Sequence, residues 1–203
     1  MLHTTTVKPH TLALLRSLQS KNYIEQFVLV GGTALALQIG HRESIDLDMF
    51  TITDFDSNAL LANLLNDYSV TPNLQTPQTL ICEIEGVKVD FIRFKYPFNR
   101  PILRVEDVRM LAIEDIAPMK LDAITGRGSK KDFFDLYFLL KLFNLDTLLA
   151  LYQEKYPHQT TFHVVRSLSY FVDAERYPDP LVFNKKVTWQ TVKKAIAKAV
   201  QAL

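Results

Sequence analysis

The stretch that most constrains this chain is Gly31–Phe50, GGTALALQIGHRESIDLDMF, where a glycine pair opens an apolar helix and an alternating acidic run follows. Phe27–Val30, FVLV, reads as a short buried strand rich in β-branched residues. Gly31-Gly32 ends it with a turn that residues bearing a Cβ tolerate poorly. Ala34, Leu35, Leu37 and Ile39 make Thr33–Ile39 apolar on most faces, so this helix is expected to be buried with its amino end outward. Unpaired N–H groups and the helix dipole make that end a seat for a phosphate.

Gly40 closes the helix, and Ile45–Phe50 then alternates apolar and acidic residues. Residues two apart share a face of a strand, so Asp46 and Asp48 are expected to project together while Ile45, Leu47 and Met49 point the other way. At about 4 Å in an effective dielectric near 20, two such charges repel by several kcal/mol. A hard divalent ion removes that repulsion. A lone Asp-x-Asp also fits an exposed strand face. The glycine turn beside it favours the ion, because phosphate seat and metal ligands then come from one unit.

The rest of the chain narrows the setting. Its 203 residues, 48% apolar, suit one compact domain or a catalytic core with a helical extension. A formal charge of +1 argues against a global field for nucleic acid. The amino terminus lacks a charged region followed by an apolar one, and no apolar run approaches the roughly 20 residues of a membrane span, so the chain reads as soluble and cytoplasmic. Cys82, the single cysteine, excludes an intrachain disulfide and reads as core, and no Cys/His cluster has zinc-site spacing.

In chain order, Thr11–Lys21 has helical apolar spacing behind Pro9, and Asp56 or Ser57 caps a helix reaching Leu65. Strands are expected at Tyr68–Gln75, Thr79–Glu85 and Val87–Phe94, the last two joined by a hairpin turn at Glu85-Gly86. Asp90 stands in the third of these, among apolar neighbours, as a sheet-end polar residue or a functional acid. A strand-like Ile102–Val105 precedes a helix that starts near Glu114-Asp115 and ends at Gly126. Lys120 and Arg127, seven apart, fall near one face of it, as phosphate contacts or as two solvated cations. Ser129 and Asp132 read as a capping box for the next helix. Leu145–Tyr156, Phe162–Arg176 and Trp189–Leu203 read as a small bundle, its breaks marked by Pro157, Pro178 and Pro180. Lys185, Lys186, Lys193, Lys194 and Lys198 read as a solvated face more readily than as an RNA surface.

These residues carry a family resemblance. GGTALAL, Arg42-x-Ser44 and Asp46-Leu47-Asp48 resemble the first motif of the nucleotidyltransferase superfamily, with its polymerase-β-like fold, in the style of the AbiEii/AbiGii (MenA-like) toxins. The usual motif has Gly-Ser; here Gly32 takes the second position and a hydroxyl follows only at Thr33. Val89-Asp90-Phe91 resembles the strand that carries the superfamily's third carboxylate, and Lys120, Arg127 and Lys131-Asp132-x-x-Asp135 resemble the later AbiEii motifs.

The resemblance implies an α+β fold: a nucleotidyltransferase core over residues 1–110, a small mixed β-sheet with helices packed on it, then a C-terminal helical bundle over 111–203 that contributes Lys120 and Asp132 to the site. It implies Mg²⁺-dependent transfer of NMP from an NTP to an acceptor hydroxyl, a tRNA end, another RNA, a protein or a small molecule. Gly31, Gly32 and Thr33 would hold the triphosphate, with Arg42, Ser44 and Arg127 shaping the nucleotide pocket. Asp46 and Asp48 would bind Mg²⁺, and Asp90 would complete a second metal site. Lys120 would contact the phosphates, Asp132 would position or deprotonate the acceptor, and Asp135 would tie Lys131 or Arg127 into place. A cognate antitoxin is the implied protein partner. The alternative is a non-catalytic nucleotide- or protein-binding module on the same fold. The retained acidic pair argues against it.

Overall fold

In the computed structural model, which describes Met1–Leu203, Pro9 stands at the first position of helix α1 (Pro9–Gln19), where its missing N–H costs no helical bond. The chain divides into two units, Met1–Gly40 with Ser44–Ala112, and His41–Glu43 with Ile113–Leu203. The second takes three residues, 41–43, from within the stretch the sequence reading assigned to the core.

In the first unit α1 is followed by β1 (Val28–Val30), α2 (Gly31–Ile39), β2 (Leu47–Thr51) and α3 (Ser57–Asp67). Next come β3 (Val70–Thr76), β4 (Thr79–Ile84), β5 (Val87–Arg93), β6 (Leu103–Val105) and β7 (Val108–Met110). They form one mixed seven-stranded sheet in the order β3-β4-β5-β2-β1-β7-β6. β2 lies between β5, to which it is parallel, and β1, to which it is antiparallel, so the acidic segment occupies the middle of the sheet. Phe27, Leu29, Met49, Val89 and Phe91 are fully buried, with Phe27 edge-on to Phe55 and Phe91.

Local chemistry explains the joints. Asp56 caps α3 by accepting from the backbone N–H groups of Asn58 and Ala59. The β4–β5 turn uses positive φ at Glu85 and Gly86, the twist that a two-residue hairpin needs. Glu106 and Asp107 adopt positive φ in a second hairpin, β6–β7. Sequence reading missed β7, since three buried residues in a row show neither strand nor helix periodicity. Cys82 is buried, and burial pushes its thiol pKa up to about 12, which leaves it inert.

The second unit holds α4 (Ile113–Gly126), α5 (Lys130–Leu139), α6 (Leu145–Lys155), α7 (Thr161–Leu168) and α8 (Trp189–Gln201). Phe133, Phe134, Phe171 and Trp189 form its aromatic centre. Lys155 and Asp115, both wholly buried, pair at 2.6 Å. The helix expected over Phe162–Arg176 ends at Leu168, and only a 3-10 turn at Ala174–Arg176 follows. Tyr170 and Val172 are exposed, so the apolar spacing there does not mark a buried face. Residues 41–43 pair with the 181–183 segment: Arg42 bridges Val182, Glu43 N–H donates to Leu181 O, and Phe183 N–H donates to His41 O.

Candidate active site

The acidic residues gather where β2 meets β5. Along β2, Leu47 and Met49 are buried and Asp48 and Phe50 half-buried, the alternation that sends the carboxylate to one face. In the parallel register Asp48 stands opposite Asp90. Asp46 lies just before the strand, and Ile45 is 56% exposed instead of following Leu47 and Met49 inward, because ladder pairing begins only at Leu47. Lys88, two residues before Asp90 on β5, shares its face of the sheet. Its Nζ lies 2.6 Å from Asp90 Oδ2. Burial alone would lower the Lys88 pKa, yet Asp90, Asp46 and Asp48 together raise it, so this ammonium feels all three carboxylates. The other oxygen of Asp90, Oδ1, is buried without a hydrogen-bond partner.

Gly31 fixes the distance between helix and acids. Its φ is +69°, and a Cβ there would sit 2.1 Å from Asp48 Oδ2. The Asp48 carboxylate therefore lies against the amino end of α2, where the dipole favours an anion. A phosphate seated at that helix end would share it with Asp48. Thr33, 1% exposed, donates its hydroxyl to Asp46 O and lies 2.8 Å from the Ser44 hydroxyl, itself 8% exposed. Both side chains, expected at the nucleotide, instead tie α2 to the segment entering β2.

The donor set suits a hard divalent cation: all carboxylate oxygen, one of them buried and unpartnered. No three His, Cys, Asp or Glu side chains are gathered as a ready-made metal cage. Mg²⁺ commonly takes one or two carboxylates and completes its shell with water and substrate phosphate, so a closed cage is not required. The residues present fit that ion.

Four other expected site residues belong to the second unit, where they form a buried ion network. Asp135, fully buried, accepts from Arg42 Nε at 2.6 Å and Nη2 at 2.9 Å, and lies 2.7 Å from both His41 Nε2 and Lys120 Nζ. Asp132, also buried, takes Arg127 Nε at 3.0 Å, Lys120 Nζ at 3.3 Å and the Ser129 hydroxyl at 2.6 Å. Ser129 thus donates to Asp132 instead of capping α5 through its side chain, and Asp135 holds Arg42, His41 and Lys120 where Lys131 or Arg127 was expected. Burial disfavours both carboxylates, but Lys120 and Arg127 at Asp132, and Arg42 and Lys120 at Asp135, outweigh it and hold both pKa values below the ordinary range. Asp132 is thus held as an anion by Lys120, Arg127 and Ser129. Arg127, whose side chain is 56% exposed, is the network's opening to solvent. Arg42, 4% exposed, is committed inward.

A glycine-hinged strand and helix beside paired acids on a mixed sheet is the arrangement of a nucleotidyltransferase fold. The structure resembles MenT4, a nucleotidyltransferase toxin from Mycobacterium tuberculosis H37Rv, with a TM-score of 0.53 and 16% identity over 96% of this chain and 85% of that one. It resembles JHP933 from Helicobacter pylori with a TM-score of 0.54 and 20% identity, over 97% and 92%. A family model, nucleotidyl transferase AbiEii toxin of type IV toxin–antitoxin systems, matches residues 13–202. An uncharacterized protein of Aquifex aeolicus (strain VF5) is 37% identical over 173 residues, 81% of this chain and 84% of that protein. The chain belongs to the AbiEii nucleotidyltransferase toxin family. No helix is long and apolar enough to cross a membrane.

Proposed function

We propose that the β2–β5 acids carry a Mg²⁺-dependent transfer of a nucleoside monophosphate from an NTP to the terminal hydroxyl of an RNA, with a tRNA end as the acceptor to test first. The observation that carries this reading is Asp48 opposite Asp90, with Asp90 Oδ1 buried and unpartnered beside it. In the reaction the acceptor oxygen bonds to the α-phosphorus, the α–β bridging bond breaks, pyrophosphate leaves, and the hydroxyl proton passes to solvent. Asp46, Asp48 and Asp90 would hold the metal, which when bound would supply charge neutralisation and a more acidic acceptor hydroxyl. The backbone of Gly31 and Gly32 faces the phosphates, and Gly31 leaves Asp48 the room it needs. Thr33 and Ser44 act from behind by fixing the Asp46 backbone. Lys88 occupies the acids' field until a metal replaces its charge. NTPs as substrates support a cytoplasmic location, and the family's toxin–antitoxin membership supports a cognate antitoxin as its regulator.

The test is transfer of label from each α-phosphate-labelled NTP, with and without Mg²⁺, into total tRNA, total RNA or protein. Labelled tRNA that disappears in both Asp46→Asn and Asp48→Asn supports the reading. Label in protein alone removes the RNA acceptor, and transfer undiminished in both variants removes the site.

A further inference from the structure

A second polar site lies in the first unit, on the β6–β7 hairpin and the end of α1. An open cavity of about 650 Å³ is lined there by Arg16, Arg104, Glu106, Asp107 and Arg109 among others. Arg104 and Arg109 stand directly opposite each other across the antiparallel β6–β7 ladder. Directly opposed side chains share a face with their Cβ atoms about 5 Å apart, and like charges so placed are destabilising. A carboxylate would be the ordinary remedy, but neither arginine has an ion pair. Arg109, 9% exposed, gives its Nη1 to Gln19 O at 2.7 Å and its Nη2 to Ile24 O at 3.2 Å, both backbone carbonyls, and its Nε is buried with no partner. Of the two acids on the rim, Glu106 accepts from Leu2 N–H at 3.1 Å and pairs with Arg16 at 3.8 Å. Asp107 occupies the turn at φ 65°.

The hairpin itself shows that this arrangement is held in place. Gln19 anchors β7 by donating its side-chain amide to Arg109 O and accepting from Arg109 N–H, which fixes the arginine's backbone from α1. Burial, and then the charge of Arg104, depress the Arg109 pKa, with Glu25 opposing them. Three arginines against two carboxylates leave the cavity one positive charge in excess.

We propose that this cavity binds a phosphate group, with the exposed Arg104 contacting it and the buried Arg109, its ladder partner on the same lining, adding to the charge that holds it. Guanidinium matches the oxygens of a phosphate in geometry and in charge. The phosphate can belong to a nucleic-acid backbone or to a free phosphate compound. The site is separate from the β2–β5 acids and does not depend on what they do.

The test uses the full chain in buffer free of divalent ions. Inorganic phosphate is titrated by calorimetry, with thermal melts against chloride at equal ionic strength, and a labelled single-stranded RNA is titrated by fluorescence anisotropy. Arg104→Gln, on an exposed edge strand, relieves the like-charge pair, and is expected to melt no lower than the parent without phosphate and to bind phosphate roughly tenfold more weakly, the loss of one charged hydrogen-bonding group. Arg109→Lys is expected to weaken it as well, and Asp48→Asn to leave it unchanged. RNA binding that falls with Arg104→Gln, with a salt slope smaller by about one, assigns the site to a backbone phosphate. RNA binding that holds while inorganic phosphate is lost assigns it to a free phosphate compound. Phosphate no better than chloride, or equal affinity in the parent and Arg104→Gln, overturns the proposal.

Discussion

Asp48 and Gly31 are in contact across the β2–α2 junction, so close that a Cβ on Gly31 would lie 2.1 Å from Asp48 Oδ2. The missing side chain is therefore a condition for the carboxylate's position. Gly31→Ala meets two penalties, the left-handed backbone at about 1–2 kcal/mol and displacement of the acid. We expect a lower melting temperature together with loss of NMP transfer. Retained transfer would show that Asp48 acts from another rotamer.

Asp90→Asn tests the orphaned oxygen opposite Asp48. Metal-assisted charge stabilisation is worth several kcal/mol, so losing a ligand should reduce transfer by about a hundredfold or more while the protein melts no lower. A Mg²⁺ titration of activity, moved to much higher concentration in the variant, would separate a metal ligand from a merely polar strand residue.

Lys88 lies 2.6 Å from Asp90 in the field of all three acids, where it would compete with the proposed metal. Its side chain is 48% exposed, so Lys88→Met should leave stability within about 0.5 kcal/mol. Half-saturation by Mg²⁺ is expected to fall. A rise would make the ammonium a contributor to substrate binding instead.

Asp135 is the anion that Arg42, Lys120 and His41 share. Asp135→Leu takes from Arg42 and Lys120 the buried anion they share, leaving Lys120 with Asp132 at 3.3 Å, and breaking a buried pair in this way costs about 3–5 kcal/mol. Denaturant unfolding should show that loss. A change under about 1 kcal/mol would mean that the cations find other partners.

Acid should weaken the same network in two stages. Burial is the main cause lowering the His41 pKa below 6.5, with Asp135 opposing it, so the unfolded chain binds the proton first. Stability then declines as pH falls below 6.5, by at most about 1.4 kcal/mol per pH unit, until folded His41 is itself protonated. Asp135, held well below 3.8, contributes stability that is fully present above that value and is lost as pH falls toward its depressed folded pKa. Unfolding curves of the parent and His41→Gln between pH 7 and 5 are expected to converge in slope above about 6.5 and diverge below it. Parallel curves would place the first acid stage elsewhere.

What the sequence determined by itself is local. A β-branched strand broken by Gly31 into an apolar helix follows from backbone sterics, the alternating burial along Leu47–Thr51 from a period of two, and the Asp56 cap and the Glu85-Gly86 turn from hydrogen bonding and φ preference over a few residues. Tertiary structure alone decided which distant residues met. Nothing within β5 specifies that Asp90 stands opposite Asp48, since parallel register is set by packing across the intervening chain. Arg42, four residues before Asp46, looked like a nucleotide contact and became a buried partner of Asp135, 93 residues away. Burial and ion pairing depend on neighbours that sequence distance does not reveal, and so the ion network in the second unit and the opposed arginines on β6–β7 became visible only in the fold.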